Sequence, residues 1–177
     1  MKDSKEFQKV LKDFIDYNED TGICIWKHRP SYYFKDIGKY KSWNTRYAHT
    51  IINHISKSTG YITTSIFNNN CELHTLIYIL MTGEFPENTI DHKDTNKTNN
   101  TWHNLREATQ QQNSVNKSVR SDNLLKVKGV TKNGNGYMAR LNINKKCKYL
   151  GTFNTIDEAK LVYDTEAKKE HLTFFRG

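Results

Sequence analysis

An acid and an imidazole stand side by side at Asp91-His92. They open the stretch DHKDTNKTNNTWHNLR, residues 91–106, which Asn113 follows closely. In a regular strand, neighbouring side chains point to opposite faces, so this pair could not hold one metal ion with both groups. Near a bend it could, or the two could divide the work, with the Asp holding a cation and the His handling a proton. That division is what cleavage of a phosphodiester with one divalent metal requires. The remaining residues of the stretch are rich in amides, which suit a short, sharply turning loop.

Several elements have to position this loop. Thr89-Ile90-Asp91-His92 reads as a short strand running into it. Thr109-Gln110-Gln111-Gln112 matches a capping box and predicts a helix over about 110–119, with Asn113 in its first turn or so. Upstream, HTLIYILM at 74–81 predicts a buried helix stopped by Gly83. Tyr61 to Phe67 predicts a strand, Asn68-Asn69-Asn70 a hairpin turn, and Cys71-Glu72-Leu73 the return. Phe7, Val10, Leu11, Phe14 and Ile15 recur with a period near 3.6 and predict an amphipathic helix within 4–17. The turn at 18–22 then leads to a strand at Ile23-Cys24-Ile25-Trp26, whereas 27–58 shows weak periodicity and reads as irregular.

The chain has 177 residues, 36 % of them hydrophobic, with a mean hydropathy of −0.82. Such thin apolar material favours small modules over one large core. The net charge of +8 is uneven: residues 117–177 hold 13 Lys+Arg against 6 Asp+Glu, while residues 1–116 hold 14 against 13. A basic C-terminal third beside a nearly neutral body suits a polyanion-binding module, although a generally basic soluble surface would give the same figures. Cys24, Cys71 and Cys147 are widely spaced, so neither a disulfide framework nor a structural zinc site is expected. No apolar run reaches the roughly 18–20 residues of a membrane span. The charged N-terminus, without a signal-peptide core behind it, reads as that of a cytoplasmic protein with no membrane partner.

The spacing of Asp91-His92, Asn104 and Asn113 resembles the His-Asn-His (HNH) nuclease family with its ββα-metal core, in particular the phage-type homing endonucleases. The resemblance extends to Tyr17-Asn18-Glu19-Asp20-Thr21-Gly22, Trp26-Lys27, Trp43-Asn44-Thr45-Arg46-Tyr47, Gly60-Tyr61, Leu73-His74, Asn104-Leu105-Arg106-Glu107-Ala108-Thr109 and Gln112-Asn113-x-x-Asn116. It implies a metal-dependent DNA endonuclease, nicking or cutting both strands, as a monomer or homodimer and phage- or prophage-encoded. His92 would be the general base, and Asp91 and Asn113 would coordinate one Mg²⁺ or Mn²⁺. Asn104 would hold the loop and fix the His92 ring through a backbone contact. Hard oxygen donors suit such ions, and a neutral imidazole can accept a proton near neutral pH. Asn99 and Asn100 read as turn formers, His103 as a surface residue and competing base, and His74 as a packed core histidine. Thr75 stands where that family commonly has Arg, which would remove a phosphate contact. The other class of reading is a non-catalytic DNA-binding regulator on a nuclease scaffold, and the presence of Asp91, His92, Asn104 and Asn113 argues against it. A third is an RNA-directed nuclease.

Beyond a linker at 118–126, the tail changes pattern. Strand candidates at 128–131, 137–143 and 148–153 precede a second capping box, Thr155-x-x-Glu158, and a helix with Ile156, Ala159, Val162, Tyr163 and Ala167 on one side. Gly129-Val130, residues 137–143, 149–153 and 157–164 resemble the DNA-binding domain of plant ethylene-response factors. That resemblance implies a three-stranded antiparallel sheet backed by a helix, its outer face in the major groove of double-stranded DNA. By matching positions, Thr131, Asn133, Arg140, Asn142 and Tyr149 would meet DNA. Arg140 and Asn142 are candidate base readers, and Lys128, Lys132, Lys145, Lys146 and Lys148 would touch phosphates. Alternation places Tyr137, Ala139, Leu141 and Ile143 on the helix side, and Met138, Arg140, Asn142 and Asn144 on the other. A solvated charged sheet is the plainer account of the same lysines. The expected class is α+β: a nuclease domain at 1–117 with an N-terminal helix and strands, then a DNA-binding domain at 127–177.

Overall fold

The first apolar period becomes helix α1, Ser4–Phe14, whose start is capped by the Asp3 carboxylate accepting from the Lys5 amide at 2.9 Å. It stops short of residue 17. Ile15 turns extended and pairs with Trp26, and the Lys27 amide donates to the Phe14 carbonyl at 2.8 Å. Strands β1 (Ile15–Tyr17) and β2 (Cys24–Trp26) form an antiparallel hairpin. The computed structural model describes residues 3–110, 112, 113, 119, 123–143 and 146–171. They fall into two units divided between Glu107 and Ala108.

The segment expected to be irregular contains helix α2, Ile37–Tyr47, started by the Asp36 carboxylate accepting from the Lys39 amide at 2.8 Å. Periodicity could not reveal it because its one fully buried residue is the polar Asn44. Strands β3 (Thr63–Ile66) and β4 (Asn69–Glu72) follow. Their turn is tighter than the expected Asn triplet and falls on Phe67-Asn68, both at positive φ, the conformation that two-residue hairpins require. Helix α3, Leu73–Thr82, ends as expected at Gly83, whose φ of +77° lets its amide reach back to the Ile79 carbonyl at 2.8 Å. Strands β5 (Thr89–His92) and β6 (Leu105–Ala108) pair with each other across the Asn-rich loop. Leu11, Phe14, Cys24, Ile66, Leu73, Leu76 and Ile77 form the heart of the first unit's apolar core, in contact with Ile90 and Leu105 of the β5–β6 pair.

The second unit contains strands β7 (Val130–Asn133), β8 (Gly136–Ile143) and β9 (Lys146–Phe153), antiparallel in that order, and helix α4 (Ile156–His171). The Thr155 hydroxyl accepts from the Glu158 amide and the Glu158 carboxylate from the Thr155 amide, completing the predicted capping box. Val130, Ala139 and Leu141 on the sheet pack with Ala159, Tyr163 and Ala167 on the helix. Alanines at these positions let helix and sheet approach closely, but they make a small core. The architecture is α+β, with several small sheets rather than one large one. Asn144, Lys145 and most of the expected helix after Asn113 lie outside the described residues, as does part of the 118–126 segment.

Candidate active site and basic sheet

Asp91 and His92 end β5, 6 % and 2 % exposed, and strand alternation sends them to different partners. The Asp91 Oδ2 accepts from Arg106 Nε at 3.0 Å and Nη2 at 2.9 Å, across the β5–β6 pair. The His92 ring stacks on Tyr61, with centroids 5.7 Å apart, and meets the edge of His74 at 5.1 Å. Its Nε2 lies 3.1 Å from Asn100 Oδ1. Burial holds the His92 pKa below the ordinary histidine value, against the opposing pull of Asn100 and the Asp94 and Asp91 carboxylates. The ring is therefore neutral at physiological pH.

Asn104 is the staple of the loop. Its Nδ2 donates to Asp94 Oδ1 at 3.0 Å and to the Asn99 carbonyl at 2.8 Å, and its Oδ1 accepts from the Asp94 amide at 3.0 Å. Its own carbonyl accepts from the Lys93 amide at 2.9 Å. Asp94 is the hub of these bonds, taking also the Asn96 amide at 2.8 Å and Asn99 Nδ2 at 2.6 Å. Burial raises the Asp94 pKa, but these hydrogen bonds outweigh it and hold the carboxyl below its usual range.

Asn100, read from the sequence as a turn former, is 1 % exposed and carries the oxygen that faces His92. Its carbonyl accepts from the Tyr17 hydroxyl at 2.8 Å, and the neighbouring Trp102 amide donates to the Glu19 carbonyl at 2.9 Å. Gly22, at φ +73°, lies so close that a Cβ there would sit 2.6 Å from the Asn100 carbonyl carbon. The Tyr17–Gly22 motif thus braces the loop that holds Asn100. One run of near-identical amides hides which of them turns inward, so the residue type alone carried no signal. Arg106 was likewise missed as the partner of Asp91. Opposite charges one position in from the facing ends of paired strands were the available clue.

His74 is buried, with Nε2 3.2 Å from Glu72 Oε2, and burial together with His92 pushes its pKa down to about 3. His103 is exposed and offers its backbone carbonyl to Lys93 Nζ. Asn113 lies in the second unit, its amide donating to the Thr109 carbonyl at 2.9 Å. The expected capping box forms there, between the Thr109 hydroxyl and the Gln112 amide and between Gln112 Oε1 and the Thr109 amide. Among the described residues no three His, Cys, Asp or Glu side chains converge as a metal cluster. Hard oxygen donors such as the Asp91 carboxylate suit Mg²⁺ or Mn²⁺.

On the second unit's sheet, cross-strand register puts Thr131 beside Met138, Asn133 beside Gly136, Arg140 beside Tyr149, and Asn142 beside Cys147. These residues share the face away from Val130, Ala139 and Leu141. Arg140, Asn142 and Tyr149 are exposed on it. Lys132 pairs with Tyr137 and Lys148 with Leu141, so both lie on the helix-side register. Lys148 Nζ is 2.8 Å from Glu166 and 3.5 Å from Glu170 of α4.

Residues 71–115, which take in α3, the β5–β6 pair and Asn113, match the HNH endonuclease family. An uncharacterized HNH endonuclease of Acanthamoeba polyphaga mimivirus is 39 % identical over 101 residues, which are 55 % of this chain and 52 % of that protein. The chain therefore spans about half the length of the curated relative it matches. No solved structure matches. No helix among the described residues is long and apolar enough to cross a membrane.

Proposed function

We propose that this chain is a metal-dependent endonuclease that hydrolyses phosphodiester bonds of double-stranded DNA, with His92 as general base and Asp91 and Asn113 as ligands of one Mg²⁺ or Mn²⁺. The observation that carries this reading is the divergence of Asp91 and His92 at the end of β5 inside the HNH domain: carboxylate toward Arg106, imidazole toward Asn100. The bound ion would neutralise charge building on the scissile phosphate and the leaving oxygen. With His92 Nε2–H donating to Asn100 Oδ1, the atom that takes the proton from water is Nδ1. Asn100 thereby sets the tautomer of the base, and Asn104 holds the turn that presents Asn100. Arg106 aims the Asp91 carboxylate and balances its buried charge. Because the His92 ring is only 2 % exposed, substrate binding has to open a path for water to reach it.

The second unit would supply DNA affinity. In this reading Thr131, Asn133, Arg140, Asn142 and Tyr149 face the major groove, with Arg140 and Asn142 reading bases. Lys132 would reach phosphates from the sheet margin, while Lys148 is assigned to α4 through Glu166 and Glu170. The test is plasmid cleavage by the full chain with Mg²⁺, with Mn²⁺ and with chelator. Nicked or linear product that requires the ion, and that disappears in His92→Ala while DNA binding persists, is the expected result. Undiminished cutting by His92→Ala would overturn the assignment.

A further inference from the structure

The first unit also contains an open groove of about 1130 Å³, lined among others by Trp43 and Tyr47 from α2, Ser56, Lys57 and Ser58 from the turn before β3, and Asn70 from β4. None of the described residues that line it is Asp or Glu. Tyr47 is 39 % exposed, and its ring lies 5.4 Å from that of Trp43. Behind Trp43 sits Arg29, 8 % exposed, its guanidinium 3.8 Å from the Trp43 ring centroid, 4.0 Å from that of Phe14 and 4.6 Å from that of Trp26. Arg29 Nε and Nη2 are buried without a hydrogen-bond partner among the described residues, and three aromatic faces hold this cation in place of a carboxylate. The groove's described lining therefore offers aromatic rings, hydroxyl and amide groups and one lysine, Lys57, with no acid to oppose an anion.

One turn joins this groove to His92. The Ser56 amide donates to the Tyr61 carbonyl at 2.9 Å and the Gly60 amide to the Ser56 carbonyl at 2.8 Å. Ser56, Lys57 and Ser58 thus belong to the groove, while Tyr61, at the end of the same turn, stacks on the His92 ring. Lys97 fastens that end, with Nζ 2.6 Å from the Thr59 carbonyl and 4.7 Å from the Tyr61 ring centroid.

We propose that the groove binds an unpaired nucleic-acid strand that continues from the phosphate at His92, an inference that rests on the nuclease reading above. Inside a duplex each base face is covered by its neighbour, so the partly exposed Tyr47 ring, with the Arg46 guanidinium 5.9 Å from its centroid, suits a base that has left the stack. The hydroxyls of Ser56 and Ser58 and the Lys57 ammonium suit the sugar–phosphate backbone of that strand. The occupant is thus a short single-stranded segment flanking the cleavage point, and the groove distinguishes frayed or extended ends from closed duplex.

The experiment uses the full chain carrying His92→Ala and two labelled DNAs, a blunt duplex and the same duplex with a single-stranded extension. The extension is expected to tighten binding by about tenfold, the gain from stacking one base on an aromatic face. Tyr47→Ala and Lys57→Glu should erase that gain and leave the blunt duplex unchanged, whereas Tyr47→Phe should keep it. Equal affinity for both DNAs, or a gain that survives both Tyr47→Ala and Lys57→Glu, would overturn the proposal. Hydrolysis of bis(p-nitrophenyl) phosphate by the chain with His92 intact separates this from the nuclease reading, since that ester is too small to need the groove. Groove variants that hydrolyse it normally support the assignment. A chain that shows the extension gain without any hydrolysis would retain the groove and lose the nuclease.

Discussion

The polar side chains of the candidate site in the first unit are buried and bonded to one another, whereas those of the candidate face in the second are exposed. Asp91, His92, Asn100 and Asn104 are each at most 6 % exposed, and each has a named partner within 3.1 Å. Arg140, Asn142 and Tyr149 stand in solvent on a sheet whose other face is closed by α4. On the proposed function, the difference is the one expected between chemistry and recognition. A reacting group must be held to a fraction of an ångström in low dielectric, while a reading face gains from charge and reach and tolerates mobility.

The comparison can be tested from its strongest consequence downward. His92→Ala should lower the cleavage rate by about 10²–10⁴-fold, the usual contribution of a positioned base, with DNA affinity nearly unchanged. Arg106→Ala removes the ion pair with the buried Asp91 and should destabilise the first unit by about 3–5 kcal/mol. Urea melts followed by tryptophan emission read this directly, because Trp26, Trp43 and Trp102 all lie in that unit. Arg140→Ala should weaken specific DNA binding by about 1–3 kcal/mol and leave the tryptophan-monitored melt where it was. A melt that shifts with Arg140→Ala would mean that the two units are not energetically separate.

Acid should also act on the first unit through His74. Its folded pKa is about 3, below the unfolded value of 6.5, so below pH 6.5 the unfolded chain binds a proton that the folded one refuses. Stability from this group is complete above pH 6.5 and falls by about 1.4 kcal/mol per pH unit as the pH drops toward 3. His74→Gln should flatten that part of the profile relative to the unmodified chain, and parallel profiles would refute the linkage. The smallest effect is expected from Lys148→Ala, with a melt close to that of the unmodified chain, since its pairs with Glu166 and Glu170 are surface pairs.

Much of the local structure was legible. Both capping boxes, the αL stop at Gly83, the strand at Thr89–His92 and the two faces of β8 all follow from short-range patterns. Helix α2 was not legible, because the face it turns inward is aromatic and polar rather than an apolar stripe. The Asn-rich loop was legible as a turn, and the spacing of its candidate residues as a resemblance to the HNH pattern. The inward-facing role of Asn100 was not, because nothing in the order of Asn96, Asn99, Asn100 and Asn104 separates a solvent-facing amide from one against an imidazole.

Sequence alone determined the candidate residue types, their spacing and the uneven charge, and the periods of most elements, because those periods depend on contacts a few residues apart. The partners were decided only in three dimensions. Arg106 meets Asp91 because β5 and β6 pair, and Asn100 meets His92 because Tyr17, Glu19 and Gly22 brace the loop from a distant hairpin. Burial is likewise a property of the packed chain. The lowered pKa of His92, the depressed pKa of His74 and the aromatic cage of Arg29 all arise from neighbours that come together only when the core closes.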